Sequence, residues 1–175
     1  MNIKSKLILI IIFFFLSISS PVFSNDSIGY VDMELIMNES IVGKSVTSKL
    51  KKENDLNINF FKKREKELQD KEKKLISQQN ILEPSELENQ LKSLQVEVNE
   101  YRKDKRKKIN DLSEKKINAT KKLLEKINPI LSEYADKNSI SILMQKKDIV
   151  IGKTSLDKTK DILKLVDKNI KKIDF

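Results

Sequence analysis

Residues 44–127 hold two long, highly charged stretches with widely spaced apolar positions, and the chain reverses between them at Leu82-Glu83-Pro84-Ser85-Glu86. Proline disrupts helix interiors, and Ser85 with Glu88 fits a capping box, so the second helix is expected to start afresh at about Ser85. In the first arm Phe61, Leu68, Leu75 and Leu82 recur every seven residues, but their companion positions are Asn57, Arg64 and Lys71, which leaves the seam half filled. The second arm opens with Leu87, Leu91, Leu94, Val98 and Tyr101 in 4-3 spacing. Beyond Tyr101 the same register meets Lys105 and Lys108, then recovers at Leu112 and Ala119 before Ile117, Leu123 and Ile127 define a shifted stripe. The pattern predicts an antiparallel helical hairpin that is best zipped towards its tip and looser in the middle. Each arm of roughly 40 residues is about 60 Å long. A rod this thin encloses no catalytic cleft.

The flanking residues read as the two parts of a small body. Ile28-Gly29-Tyr30-Val31-Asp32 has the alternation of a short strand, and Asp32 is placed to cap a helix carrying Leu35, Ile36 and Met37. A bend is expected at 40–44, which Gly43 permits. After the hairpin, Asn128-Pro129 marks a shoulder where Ile130, Leu131 and Tyr134 anchor the second arm, with the proline either kinking the helix or starting another. Ile140-Ser141-Ile142-Leu143-Met144 and Ile149-Val150-Ile151 are strand-like, and the first strand is expected to complete their sheet. Ile162, Leu163, Leu165, Val166 and Ile170 then mark a closing amphipathic helix. The fold class expected is α+β and mostly α. Its domains are a body from residues 25–43 and 128–175, with the hairpin of residues 44–127 inserted between them.

A basic start, an apolar run from Leu7 to Ile18 and a small-residue exit at Val22 and Ser24 are the three parts of a secretory signal peptide over residues 1–24, cut before Asn25. The rival, an uncleaved anchor, has only an interrupted stretch where a comfortable span needs about 20 apolar residues. There is no cysteine, hence neither a lipid-modified cysteine nor a disulfide framework. The expected compartment is a bacterial periplasm. Cleavage removes Lys4 and Lys6 and no acid, which takes the formal charge from +9 to +7. With three tyrosines, no tryptophan and 35 lysines and arginines, the chain has little material for a thick core, which favours burial of small apolar faces between copies.

Histidine and cysteine are both absent, which removes the commonest general base, the thiol nucleophile and the soft metal ligands together. The carboxylates are interleaved with lysines on helices, as in Glu65, Glu67, Asp70 and Glu72, and read as a solvated face with charge pairs three or four apart. Gly43-Lys44-Ser45 and Gly152-Lys153-Thr154 resemble the ends of phosphate-binding loops, but Asn38 and Lys147 stand where the first glycine is needed. No enzyme activity, cofactor or metal is expected.

Arg102, Lys103, Lys105, Arg106, Lys107 and Lys108 surround a lone Asp104 in the sharpest basic cluster. It reads either as an ordinary wet helix face or as a contact for an acidic client or anionic lipid. Without aromatic interleaving or a recognition motif, and behind a signal peptide, no specific nucleic acid is expected. Residues 25–43 carry four acids and no base, whereas residues 44–82 have 11 bases against six acids and residues 86–127 have 12 against eight. Basic arms on a body with an acidic N-terminal portion attract acidic chains at long range and repel one another in an assembly. Phe60, Phe61, Leu68 and Leu75 are either hairpin packing or apolar contacts for a client. One seam hardly buries both phenylalanines.

Taken in order, Ile28-Gly29-Tyr30-Val31-Asp32-Met33, then Met37-Asn38-Glu39-Ser40, Gly43-Lys44, the charged hairpin and Asn128-Pro129-Ile130-Leu131 resemble the Skp/OmpH family of periplasmic chaperones. The likeness runs through residues 25–175, departing where Gly152-Lys153-Thr154-Ser155 replaces the usual acidic or Asn-rich turn. It implies a homotrimer in which three hairpins project like tentacles from a shared body. The implied activity is ATP-independent holding of unfolded outer-membrane β-barrel proteins, with no catalytic residue. Ile28, Tyr30, Val31, Ile140, Ile142, Met144, Ile149 and Ile151 map to the body and its oligomer contacts. Competing expectations are an envelope adaptor that binds one folded partner, and a protein whose basic arms contact anionic lipid or lipopolysaccharide.

Overall fold

The computed structural model describes residues 27–175; the signal peptide expected over residues 1–24 lies outside them. The chain is α+β and mostly helical. Strand β1 (Ser27–Val31) leads into helix α1 (Met33–Glu39), followed by the two long helices α2 (Ile41–Gln78) and α3 (Pro84–Lys137), strand β2 (Ile140–Gln145) and helix α4 (Thr159–Asn169).

Short-range signals explain the helix ends. Asp32 caps α1 by accepting a hydrogen bond from the Leu35 amide at 2.9 Å. Ser40 ends α1 and opens α2, its hydroxyl accepting from the Gly43 amide at 3.1 Å. The Asp167 carboxylate accepts from the Ile41 amide at 2.7 Å, placing an anion at the positive end of α2. Gly43 does more than permit a bend. A Cβ on it would lie 1.9 Å from the Met37 carbonyl oxygen, so only glycine lets the first turn of α2 cross the last turn of α1 this closely.

The second long helix starts differently from the capping-box expectation. Its N-cap is Glu83, no side chain makes the cap bond, and Pro84 occupies the first helical turn. There the missing proline N–H costs nothing and its fixed φ is already helical, which outweighs the Ser85-Glu88 pairing. Pro129 neither ends nor restarts the helix, which runs through it to Lys137. Ser139 then takes a left-handed φ of 52°, turning the chain into β2.

β1 and β2 pair in parallel, Ile28 opposite Ile142 and Tyr30 opposite Met144. Asp157 bridges to Tyr30 on β1, and the Lys158 amide donates to the Tyr30 carbonyl at 2.8 Å. The third strand expected at Ile149-Val150-Ile151 is absent: residues 146–148 form a 3-10 turn and Val150 and Ile151 stand 98% and 91% exposed. An apolar β-branched run needs a ladder partner to become a strand, and among the described residues none pairs with it. One apolar core joins the parts, with Val31, Ile36 and Val42 packed against Leu123, Ile127 and Ile130 of α3 and Ile162, Val166, Ile170 and Ile173 of the C-terminal segment. The root of the hairpin is thereby fixed in the body.

Candidate functional site

From this root α2 and α3 run out together, and their seam determines what the arms leave for a partner. Phe61, Leu68 and Leu75 are buried in it. Phe61 meets Tyr101 of the other arm edge-on at 5.8 Å. Polar links add to the seam: Glu97 accepts from Lys71 at 2.6 Å and from Arg64 at 3.2 Å, Lys115 reaches Glu53 at 2.6 Å, and Tyr101 donates to Glu65 at 3.2 Å. The Lys71 ammonium holds the Glu97 carboxyl below the ordinary glutamate range, with partial burial opposing it. In the body the Leu35 amide lowers the Asp32 carboxyl against some desolvation, with help from Lys146 at 3.1 Å.

Two residues assigned to stripes by spacing turn outward. Leu91 is 51% exposed and Ile117 is 64% exposed, because α3 uses Leu87, Leu94, Val98 and Tyr101 near the tip and Ala119, Leu123 and Ile127 near the root. Two helices in contact bury a narrower stripe than a 4-3 count allows.

The basic cluster and one phenylalanine are left at the surface. Arg102, Lys103, Arg106, Lys107 and Lys108 are exposed. Lys105 is half-buried, with its ammonium donating to the Tyr101 hydroxyl at 3.1 Å and lying 5.4 Å from that ring's centre. Phe60 is 61% exposed, with its ring centre 5.2 Å from that of Phe61 in an edge-on arrangement. Where the seam meets Lys105 and Lys108 the helices leave a cleft of about 340 Å³, floored by Ile58, Phe61, Ile109 and Leu112 and rimmed by Lys62, Glu65, Lys105 and Lys108. Ile58 and Ile109 were not singled out from the sequence, being off the heptad; pairing each with an apolar residue three positions on (Phe61, Leu112) would have found them.

In the body, Tyr30, Val31 and Ile140 are buried within the chain. Ile28, Ile142, Met144 and Ile151 are exposed, and Ile149 is half-buried. Among the described residues no group of three or more acidic, histidine or cysteine side chains is placed to hold a metal ion. No described helix is long and apolar enough to cross a membrane.

The family model for OmpH-like outer membrane proteins matches residues 27–166, which include the strand pair, the whole hairpin and most of α4. The chain belongs to the OmpH-like family. Its members, the Skp/OmpH-like proteins, are periplasmic chaperones without catalytic activity. A solved OmpH-like structure, of a candidate outer membrane chaperone from Caulobacter crescentus CB15, superposes with a TM-score of 0.79 at 17% identity, covering 89% of this chain and 91% of that one. At that identity it is the fold that is shared. Comparison with curated proteins gives no match. This OmpH-like chain therefore shares that structure's fold while differing from it at most side chains.

Proposed function

We propose that this chain is an ATP-independent periplasmic holdase for unfolded outer-membrane β-barrel proteins, acting as a homotrimer whose hairpins surround the client. The observation that carries the reading is the composition of the arm surface. Two helices too thin to bury all their apolar residues leave Leu56, Ile58, Phe60, Ile109 and Ile117 exposed among lysines along the shafts. An unfolded β-barrel chain presents alternating apolar residues and unpaired strand edges. Long-range attraction by the basic arms followed by many shallow apolar contacts holds such a chain without fixing its shape. Release follows from the greater stability of the inserted barrel and requires no nucleotide.

Phe60 and the cluster of Arg102, Lys103, Lys105, Arg106, Lys107 and Lys108 are the client contacts in this reading. Phe61, Leu68 and Leu75 sit in the seam and serve by keeping the arm extended. Ile28, Ile142, Met144 and Ile151 supply the exposed apolar surface for joining copies. Residues 1–24 direct export and are cleaved near Ser24.

The test is native mass together with light scattering of a denatured outer-membrane protein diluted without nucleotide. A trimer that suppresses aggregation at about one trimer per client is the expected result. A monomer without effect on several unfolded barrels, but forming a stoichiometric complex with one folded envelope protein, would replace this reading with that of an adaptor.

A further inference from the structure

The charge of the arm changes sign along its length. Residues 75–91, which make the tip, carry Glu83, Glu86 and Glu88 and no base. Facing parts of the shaft between tip and cleft are balanced: residues 66–74 and 92–101 together hold five bases and five acids. Beyond them, Arg102 to Lys108 contribute six bases against one acid. The tip also exposes apolar side chains, with Ile81 81% exposed and Ile76 and Leu91 more than half exposed. The shaft has the complementary feature, the cleft of about 340 Å³ with an apolar floor and a rim of Lys62, Lys105 and Lys108. Glu65 is the one acid lining this cleft against three lysines, so its mouth is net positive.

We propose that the hairpin tip of one copy docks in the shaft cleft of a second copy, with Ile81 entering between Ile58 and Ile109 and Glu83 and Glu86 facing Lys105 and Lys108. The tip lies about 35 Å from the cleft along the arm, at 1.5 Å per residue, so no arm reaches its own cleft. Two arms laid antiparallel with that overlap satisfy both tips and both clefts at once, a closed two-fold contact. The balanced shafts lie between the two contacts and do not repel. The cleft has room for two or three aliphatic side chains of roughly 100 Å³ each, which fits a loop tip better than a helix. This pairing is separate from the joining of bodies and does not depend on the holdase reading.

The absence of cysteine makes the contact directly measurable. Asn80→Cys at the tip and Asn54→Cys at the cleft, both exposed and neutral, are prepared as separate full-length pools, mixed and oxidised. A disulfide needs Cα atoms within about 7 Å, so a link between the pools reports the docked geometry. The expected result is a cross-pool dimer at low salt, well above that given by Asn118→Cys in place of Asn54→Cys. Its yield falls about tenfold at 0.5 M salt, where exposed pairs are screened. Glu83→Lys with Glu86→Lys abolishes it, and Lys105→Glu with Lys108→Glu in the other pool restores it, which also shows that the reversed chains are folded. A yield no higher than that of Asn118→Cys, indifference to salt, failure of the reversed pair to restore it, or preferential linking of Asn80→Cys to itself would each overturn the proposal.

Discussion

Replacing Gly43 with alanine tests the packing at the root of the arms, because two well-known effects act in opposite directions there. Helix propensity favours alanine by about 1 kcal/mol in a helix interior, and Gly43 lies in the first turn of α2. Against this, the new Cβ would lie 1.9 Å from the Met37 carbonyl oxygen, 2.8 Å from its carbonyl carbon and 2.9 Å from the Ser40 hydroxyl. Two of these three are backbone atoms, so no side chain can swing aside. Relief requires α1 to move from α2, which disturbs the fully buried Ile36 and Val42 and loosens the Ser40 cap. Overpacking of this kind costs about 1–3 kcal/mol and a weakened cap about 1 kcal/mol more, so the net effect is destabilisation by about 1–3 kcal/mol. Urea unfolding followed by circular dichroism at one fixed protein concentration is the appropriate assay, since association shifts the midpoint. The midpoint should fall with little change in slope, while Asn59→Ala on the exposed arm leaves it unchanged or raises it slightly. A higher midpoint for Gly43→Ala would refute the close crossing of α1 and α2.

Phe61→Ala should destabilise the hairpin by about 3 kcal/mol and raise hydrogen exchange around Tyr101, whereas Phe60→Ala should change stability by less than about 0.5 kcal/mol yet weaken suppression of client aggregation. Glu97 and Asp32 have carboxyl pKa values lowered in the folded chain, so their stabilisation is present at neutral pH and is lost as pH falls below the ordinary values of 4.5 and 3.8. Glu97→Gln should accordingly flatten the acid limb of a stability profile measured by unfolding between pH 3 and 6. Replacing Arg102, Lys103, Arg106 and Lys107 with glutamine should slow client capture in stopped-flow mixing at low salt and leave the rate nearly unchanged at 0.5 M salt, because steering is screened there.

Much of the hairpin was legible because heptad spacing is local: Phe61, Leu68 and Leu75 share a helix face whatever they pack against. The same counting misassigned Leu91 and Ile117, since spacing gives the face of a helix but not how much of it a single neighbour covers. Asp32 was readable as a cap because its partner amide is three residues away. The restriction at Gly43 depends on the carbonyl of a preceding helix and appears only once the two helices cross. At Ile149 to Ile151 the β-branched residues match a strand, but a strand is a relation between segments and this one has no ladder partner among the described residues. The cleft at Lys105 and Lys108 was anticipated as looseness in the seam, while Ile58 and Ile109, which give it an apolar floor, fell outside the repeat.

In the proposed mechanism the arms of several copies hold an unfolded client in the space between them. Small-angle neutron scattering of the complex, with a deuterated outer-membrane protein and the chaperone contrast-matched, sees the client alone. The expected client is compact, with a radius of gyration smaller than that of the arms measured with the client matched out and a centre that coincides with theirs. An extended client, or one displaced to the outside of the arms, would contradict it.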